Sequence, residues 1–242
     1  MYFSFFKVRF EPERANSVAN KLKRAEFAQK LLQFQGEGWP ILFMDETNFN
    51  LHCIRRYGRS KKGTRCNIVT AASRGANIHT IGAISERGLL NVEIKRGSFT
   101  AELANLYIKT VFRKGHEVFS GPVVLVIDNA PCHSRVEQIL SEEEFAADKI
   151  LRLAPYSPML NPIEEAWSIL KSSVKRNLAN QMSSILNNEG QGNLTQCEYR
   201  LQMLESAIRQ NINCITEEKC RSFIAHIQCH IGPSLQHENV TF

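Results

Sequence analysis

Long apolar runs are the first thing this 242-residue chain lacks. The longest, Val123 to Ile127, is five residues, against the roughly 20 that a membrane-spanning helix needs, so no membrane partner is expected. The opening MYFSFFKVRF is aromatic but has neither the apolar core nor the small-residue cleavage site of a secretory signal, and it reads as an ordinary start. Paired cysteines are missing too. The seven cysteines (53, 66, 132, 197, 214, 220 and 229) are odd in number, widely spaced and free of any C-x-x-C. That excludes a disulfide framework and fits a reducing, intracellular compartment. No internal repeat or low-complexity tract occurs. Negative charge is in short supply, with 24 acids against 30 bases, a net charge of +6 and a pI of about 9.0. This balance tilts the expected partners towards anions such as nucleic acid.

What is present is enough to bury a core, with 43% hydrophobic and 22% charged residues. The spacing predicts a helix over 15–35, stopped between Gly36 and Pro40. ILFMD, 41–45, reads as a short strand ending on an acid. Further strands are expected at 51–57, 66–72, 77–84 and 89–94, largely antiparallel. Residues 100–113 predict a helix capped by Thr100, with Leu103, Leu106, Tyr107 and Val111 on its buried face. VVLVI without alternation marks a strand covered on both faces. A helix is then expected near 134–146, a strand at 149–154 and a helix from about 162 to 178. A loop over 187–197 leads to two helices, 198–212 and 217–231. Strands followed by alternating helices and strands imply an α/β layer with a mixed sheet, in which 41–45 and 123–128 lie side by side. Chemistry in such sheets sits at the carboxyl ends of central strands.

Asp45 and Asp128 each end a hydrophobic run, and the polar stretches ETNFN and NAPCHS follow them. The plain alternative is that each aspartate merely opens a turn. The third acid lies in LAPYSPMLNPIEEAW, 153–167, where three prolines within eight positions precede Glu164 and Glu165. Ile163, Ala166, Trp167, Leu170 and Val174 define the buried face of that helix. This places Glu164 on its flank and Glu165 towards water. Asn161, Pro162 and Glu164 also fit the N-cap, N1 and N3 positions of a capping box. Three carboxylates so placed suit two-metal phosphoryl transfer, since Mg²⁺ prefers oxygen ligands and keeps waters for a phosphate. Proline stiffness would then pin the helix entrance against the sheet.

MDETNF, VIDNAPCH and LAPYSPMLNPIEEAWSILK resemble the three signatures of the Tc1/mariner and IS630-type transposases, the DDE superfamily endonuclease domain. Thirty-five residues separate Asp128 from Glu164, close to that family's short spacing, and the resemblance covers residues 15 to 180. It implies an α/β, RNase H-like fold: a mixed five-stranded sheet of order 3-2-1-4-5 flanked by helices, with a helical C-terminal extension. It also implies Asp45, Asp128 and Glu164 as catalytic, metal-binding acids, two ions of Mg²⁺ or Mn²⁺, and cleavage and joining of double-stranded DNA at transposon ends and target. A homodimer is a further expectation. Asn129 and His133 fall on motif positions near the site and are expected to contact DNA or orient a ligand.

The expected division is a linker and leading helix over 1–36, a catalytic domain over 37–182, and a loop with packing helices over 183–242. Only 40 residues precede Ile41, so the family's N-terminal helix-turn-helix modules are expected to be missing. The rival reading is a silent or domesticated transposase remnant that only binds DNA. An RNase H acting on RNA–DNA hybrids is a third, opposed by the DNAPxH and NPIE signatures. The run RRYGRSKKGTR, with Arg55, Arg56, Arg59, Lys61, Lys62 and Arg65, would neutralise DNA phosphates from a hairpin tip or stand as a solvated loop. It would also suit import into the nucleus. Cys214, Cys220, His226, Cys229 and His230 match no standard zinc finger. Cys220, Phe223, Ile224, Ile227 and Ile231 instead predict an apolar helix face ended by Gly232 and Pro233.

Overall fold

The computed structural model of the chain describes residues 12–51, 59–67 and 76–240. Five strands form one sheet: β1 (Ile41–Phe49), β2 (Ile78–Ser85), β3 (Gly88–Arg96), β4 (Val124–Ile127) and β5 (Lys149–Arg152), in the order β3-β2-β1-β4-β5. β1, β2 and β3 pair antiparallel, whereas β4 lies parallel to both β1 and β5. The expected 3-2-1-4-5 order is thus observed. β4 is buried along its whole length, as an unbroken Val/Leu/Ile run between two helical layers requires.

Helices cover both faces. On one side lie α1 (Val18–Gly36), α3 (Ile163–Leu186), α4 (Gln196–Asn211), α5 (Glu217–His226) and α6 (Gln228–Leu235), packing Phe27, Leu31, Trp167, Leu170, Leu204 and Ile231 against Phe43, Val124 and Val126. On the other lies α2 (Ala101–Phe119), which sets Tyr107, Ile108, Val111 and Phe112 against Leu42, Met44, Leu125 and Ile127. Thr100 caps α2 by accepting from the Leu103 amide. Leu106, expected on the buried face, is 61% exposed. The buried stripe is Ala104, Tyr107, Ile108, Val111 and Phe112, an equally regular spacing shifted round the helix.

The other departures have local causes. Instead of a helix over 134–146, three short 3₁₀ turns run over Val136–Ser141, Glu143–Phe145 and, before them, Pro131–His133. The buried residues there, Val136, Ile139 and Phe145, recur in multiples of three, the period of a 3₁₀ turn rather than an α-helix. The strands expected at 51–57 and 66–72 fall almost wholly outside the described residues, and Leu51, Cys66 and Asn67 are not in strands. The expected helix 217–231 breaks at Ile227 and continues past Gly232 and Pro233 as α6. That break lets α6 turn onto α1 while Ile227 and Ile231 both stay buried. Arg96 on β3 ties down α4, with its guanidinium donating to Glu198 at 2.7 and 2.8 Å and to Glu205 at 2.8 and 3.0 Å. Among the described residues, no helix is long and apolar enough to cross a membrane.

Candidate active site

β1 and β4 pair as Ile41 with Val124, Leu42 with Leu125 and Phe43 with Val126. The same offset carried two residues further sets Asp45 level with Asp128. Asp45 lies within β1, and Asp128 follows β4 directly. Alternation along β1 sends Asp45 to the side of Phe43, where α3 packs. Glu164, the second residue of α3, joins the two aspartates along one open cleft of about 750 Å³. Among the described residues, no lysine or arginine lines that cleft. Burial, followed by the charge of Glu164 and more weakly those of Glu46 and Asp128, pushes the Asp45 carboxyl up to about 8, and only the Glu46 backbone amide pulls it down. Three acids without a compensating cation are a fitting donor set for a hard divalent metal.

The proline loop sets the entrance of α3. Pro158 opens a 3₁₀ turn over Pro158–Leu160, and Tyr156 takes a left-handed φ of 53°. Ser157, buried, donates from its hydroxyl to the Pro155 carbonyl at 3.1 Å. No capping box forms: α3 has no side-chain cap. Asn161 instead donates from Nδ2 to the Met44 carbonyl at 3.4 Å, one residue before Asp45. Reaching β1 takes Asn161 away from its own helix end and ties the start of α3 to the strand that carries the first acid. Its Oδ1 is buried without a partner at the wall of the cleft. Glu164 is exposed at the cleft mouth, whereas Glu165, expected to face water, has an oxygen 3.8 Å from Nε2 of His226.

Two residues that the sequence did not single out hold the other side. Arg152 on β5 donates to the Asp128 carbonyl at 3.0 Å and the His133 carbonyl at 2.6 Å, while also pairing with Glu137 at 2.7 Å. It thereby clamps the whole DNAPCH turn. Glu46, next to Asp45 but on the opposite face, accepts from Nε2 of His133 at 3.0 Å. His133 is 1% exposed and also 3.5 Å from Asp128. It therefore supports the acids from beneath, and the expectation that it touches DNA fails because nothing outside can reach it. Asn129 is exposed at the cleft, where its Nδ2 donates to the Leu153 carbonyl at 2.6 Å. Cys132 lies beside Glu46, but burial and the nearby acids push its thiol up to about 11, so it stays protonated and is a poor metal ligand at neutral pH.

Of the basic run, Arg59, Lys61, Lys62 and Arg65 are exposed in the described stretch 59–67 between β1 and β2, where the Thr64 hydroxyl donates to the Lys61 carbonyl at 2.7 Å. Arg55 and Arg56 lie outside the described residues. One acid within a central strand, another directly after its parallel neighbour, a third at a helix start and the order β3-β2-β1-β4-β5 together define an RNase H-like fold.

A family profile described as DDE superfamily endonuclease matches residues 40–185, more than half the chain. The chain belongs to that family. Its fold is similar to that of a pre-cleavage Mos1 transpososome (TM-score 0.63, 15% identity, covering 100% of this chain and 68% of that one). It is also similar to the mariner Mos1 paired end complex with Mg (0.62, 15%, 97% and 67%) and the Mos1 strand transfer complex (0.61, 15%, 100% and 67%). The chain spans about two thirds of the length of these solved chains. Among curated protein sequences, none matches it significantly.

Proposed function

We propose that this chain is the catalytic core of a Tc1/mariner-type DNA transposase, cutting and joining double-stranded DNA at transposon ends and target. The observation that carries this reading is the convergence of Asp45, Asp128 and Glu164 on one cleft. Those three carboxylates would hold two divalent ions, Mg²⁺ or Mn²⁺. When bound, such ions activate the attacking oxygen and stabilise the leaving one in an in-line phosphoryl transfer. The chain's own contribution is placement. β1 and β4 hold the two aspartates in register, and Asn161 fixes the start of α3, where Glu164 stands. Arg152 keeps the turn after Asp128 from shifting, and the buried His133–Glu46 pair backs the strand from the opposite face. Arg59, Lys61 and Lys62, beside the loop that leaves β1, would neutralise DNA phosphates, with Arg55 and Arg56 in the same run. A paired arrangement of two copies on two DNA ends goes with this reading.

The test is nicking of labelled duplex DNA by the purified chain with Mg²⁺ or Mn²⁺. Metal-dependent cleavage that disappears in Asp128→Asn is expected. Binding of DNA without cleavage under either metal would instead establish a silent remnant.

A further inference from the structure

Around the junction of α5 and α6, the i, i+3, i+4 spacing of His226, Cys229 and His230 groups residues that the spacing rule for zinc fingers passes over. His226 ends α5, Cys229 and His230 lie in the first turn of α6, and the chain turns at Ile227. Cys220 is fully buried in the core, as the sequence predicts, and takes no part. The ring nitrogens of the two histidines and the sulfur of Cys229 lie within 4.8 Å of one another. The two rings meet edge to face, with centroids 5.7 Å apart. Across a shared groove stands Glu165, its carboxylate 3.8 Å from Nε2 of His226.

We infer that His226, Cys229, His230 and Glu165 form a transition-metal site, of a kind suited to Zn²⁺ and separate from the three-acid cleft. In a tetrahedral zinc centre, bonds of about 2.0–2.1 Å to nitrogen and 2.3 Å to sulfur put the ligand atoms roughly 3.3–3.6 Å apart. The ligand atoms of His226, Cys229 and His230 already lie within 4.8 Å of one another, so binding would draw them together by about 1.5 Å at most. His226 and Cys229 are exposed and His230 is half-buried, so the side chains have room to turn and a hydrated ion has a path in. Ligand chemistry separates the two sites. Nitrogen and sulfur donors select zinc or cobalt, while the all-oxygen cleft selects magnesium or manganese. The ion would fasten the C-terminal helices to the first turn of α3, one residue beyond Glu164. This inference stands on the side-chain cluster and not on the proposed transposase activity.

The experiment is a Co²⁺ titration of the full chain, stripped of metal by a chelator and held in excess Mg²⁺. Expected is one tightly bound Co²⁺ per chain, with visible tetrahedral absorption and a thiolate-to-cobalt charge-transfer band, both abolished by Zn²⁺. Cys229→Ser should remove the charge-transfer band. His226→Ala or His230→Ala should weaken binding by tenfold or more, since even residues outside the ligand shell cost about 10–100-fold. Glu165→Gln should weaken it less. Far-ultraviolet circular dichroism checks that each variant, altered at a residue that is not fully buried, still folds. No tetrahedral spectrum at stoichiometric Co²⁺, or a charge-transfer band that survives in Cys229→Ser, overturns the assignment. DNA nicking plays no part in the readout, so a catalytically dead chain would still decide it.

Discussion

Asp45 and Glu46 are neighbours on one strand and carry the same charge, yet their surroundings are opposite. Asp45 faces a cleft whose other charged groups, among the described residues, are acids, and its pKa is pushed up to about 8. Glu46, on the other side of the sheet, has a histidine 3.0 Å away. One carboxylate is held in a repulsion that a cation would relieve, and the other is already satisfied. The pair shows that strand alternation, and not residue type, decides which acid is free to bind a metal.

The largest expected effect separates the two directly. Asp45→Asn should lower metal-dependent DNA cleavage on the order of a thousandfold, because several kcal/mol of charge stabilisation pass through such a ligand. Glu46→Gln should cut activity less than tenfold while costing about 1 kcal/mol of stability through its weakened bond to His133. Their pH behaviour should differ as well. A carboxyl whose folded pKa lies above its unfolded value, about 3.9, binds its proton more tightly in the folded state. In metal-free protein, Asp45 therefore favours folding at low pH, and that contribution is lost as pH rises from about 4 towards 8. Denaturation at pH 5 and pH 8 should show this slope in the wild type, less of it in Asp45→Asn, and less again with saturating Mg²⁺.

A smaller effect probes what lies behind Asp45. Gly82 is its partner across the β1–β2 ladder, and a Cβ there would come within 2.5 Å of Cη2 of Trp167 on α3. Gly82→Ala should destabilise the fold by roughly 1–3 kcal/mol through overpacking. It should also lower cleavage, since Trp167 sits one turn after Glu164. Trp167→Phe removes the colliding atoms, so in a double-mutant cycle the glycine substitution should cost less on that background. The smallest effect is on DNA affinity. Lys61→Ala and Lys62→Ala should each weaken binding regardless of sequence and reduce the salt dependence by about one unit of slope.

Much of this architecture is legible in the sequence. VVLVI can only be a strand covered on both faces, and Asp128 directly follows it as expected, whereas the strand expected to end at Asp45 runs on to Phe49. The helical spacing from Ile163 to Val174 reports the buried side of α3. Most of what escapes has one physical cause, which is contact between residues far apart in the chain. The Glu46–His133 pair, the Arg152 clamp on the DNAPCH turn and the bond from Asn161 to β1 have no local signature. Asn161 illustrates the point, since its local pattern matches a capping box but its side chain serves a strand more than a hundred residues away. The 3₁₀ turns after His133 were misread because Val136, Ile139 and Phe145 fit a three-residue repeat. The i, i+3, i+4 spacing of His226, Cys229 and His230 is legible, whereas the approach of Glu165 from α3 is not.

The shared register of β1 and β4 has a consequence for how this site can change over time. Neighbouring strands of any sheet are about 4.7–4.9 Å apart, a spacing set by backbone hydrogen bonds and nearly indifferent to side chains. Asp45 and Asp128 occupy adjacent columns on one row of that lattice, so their separation is inherited from the backbone and need not be encoded anew. The segment between β1 and β2, residues 50 to 77, can lengthen or shorten without moving either acid off its row. The position of the pair is a lattice coordinate, and that connecting segment is free to drift.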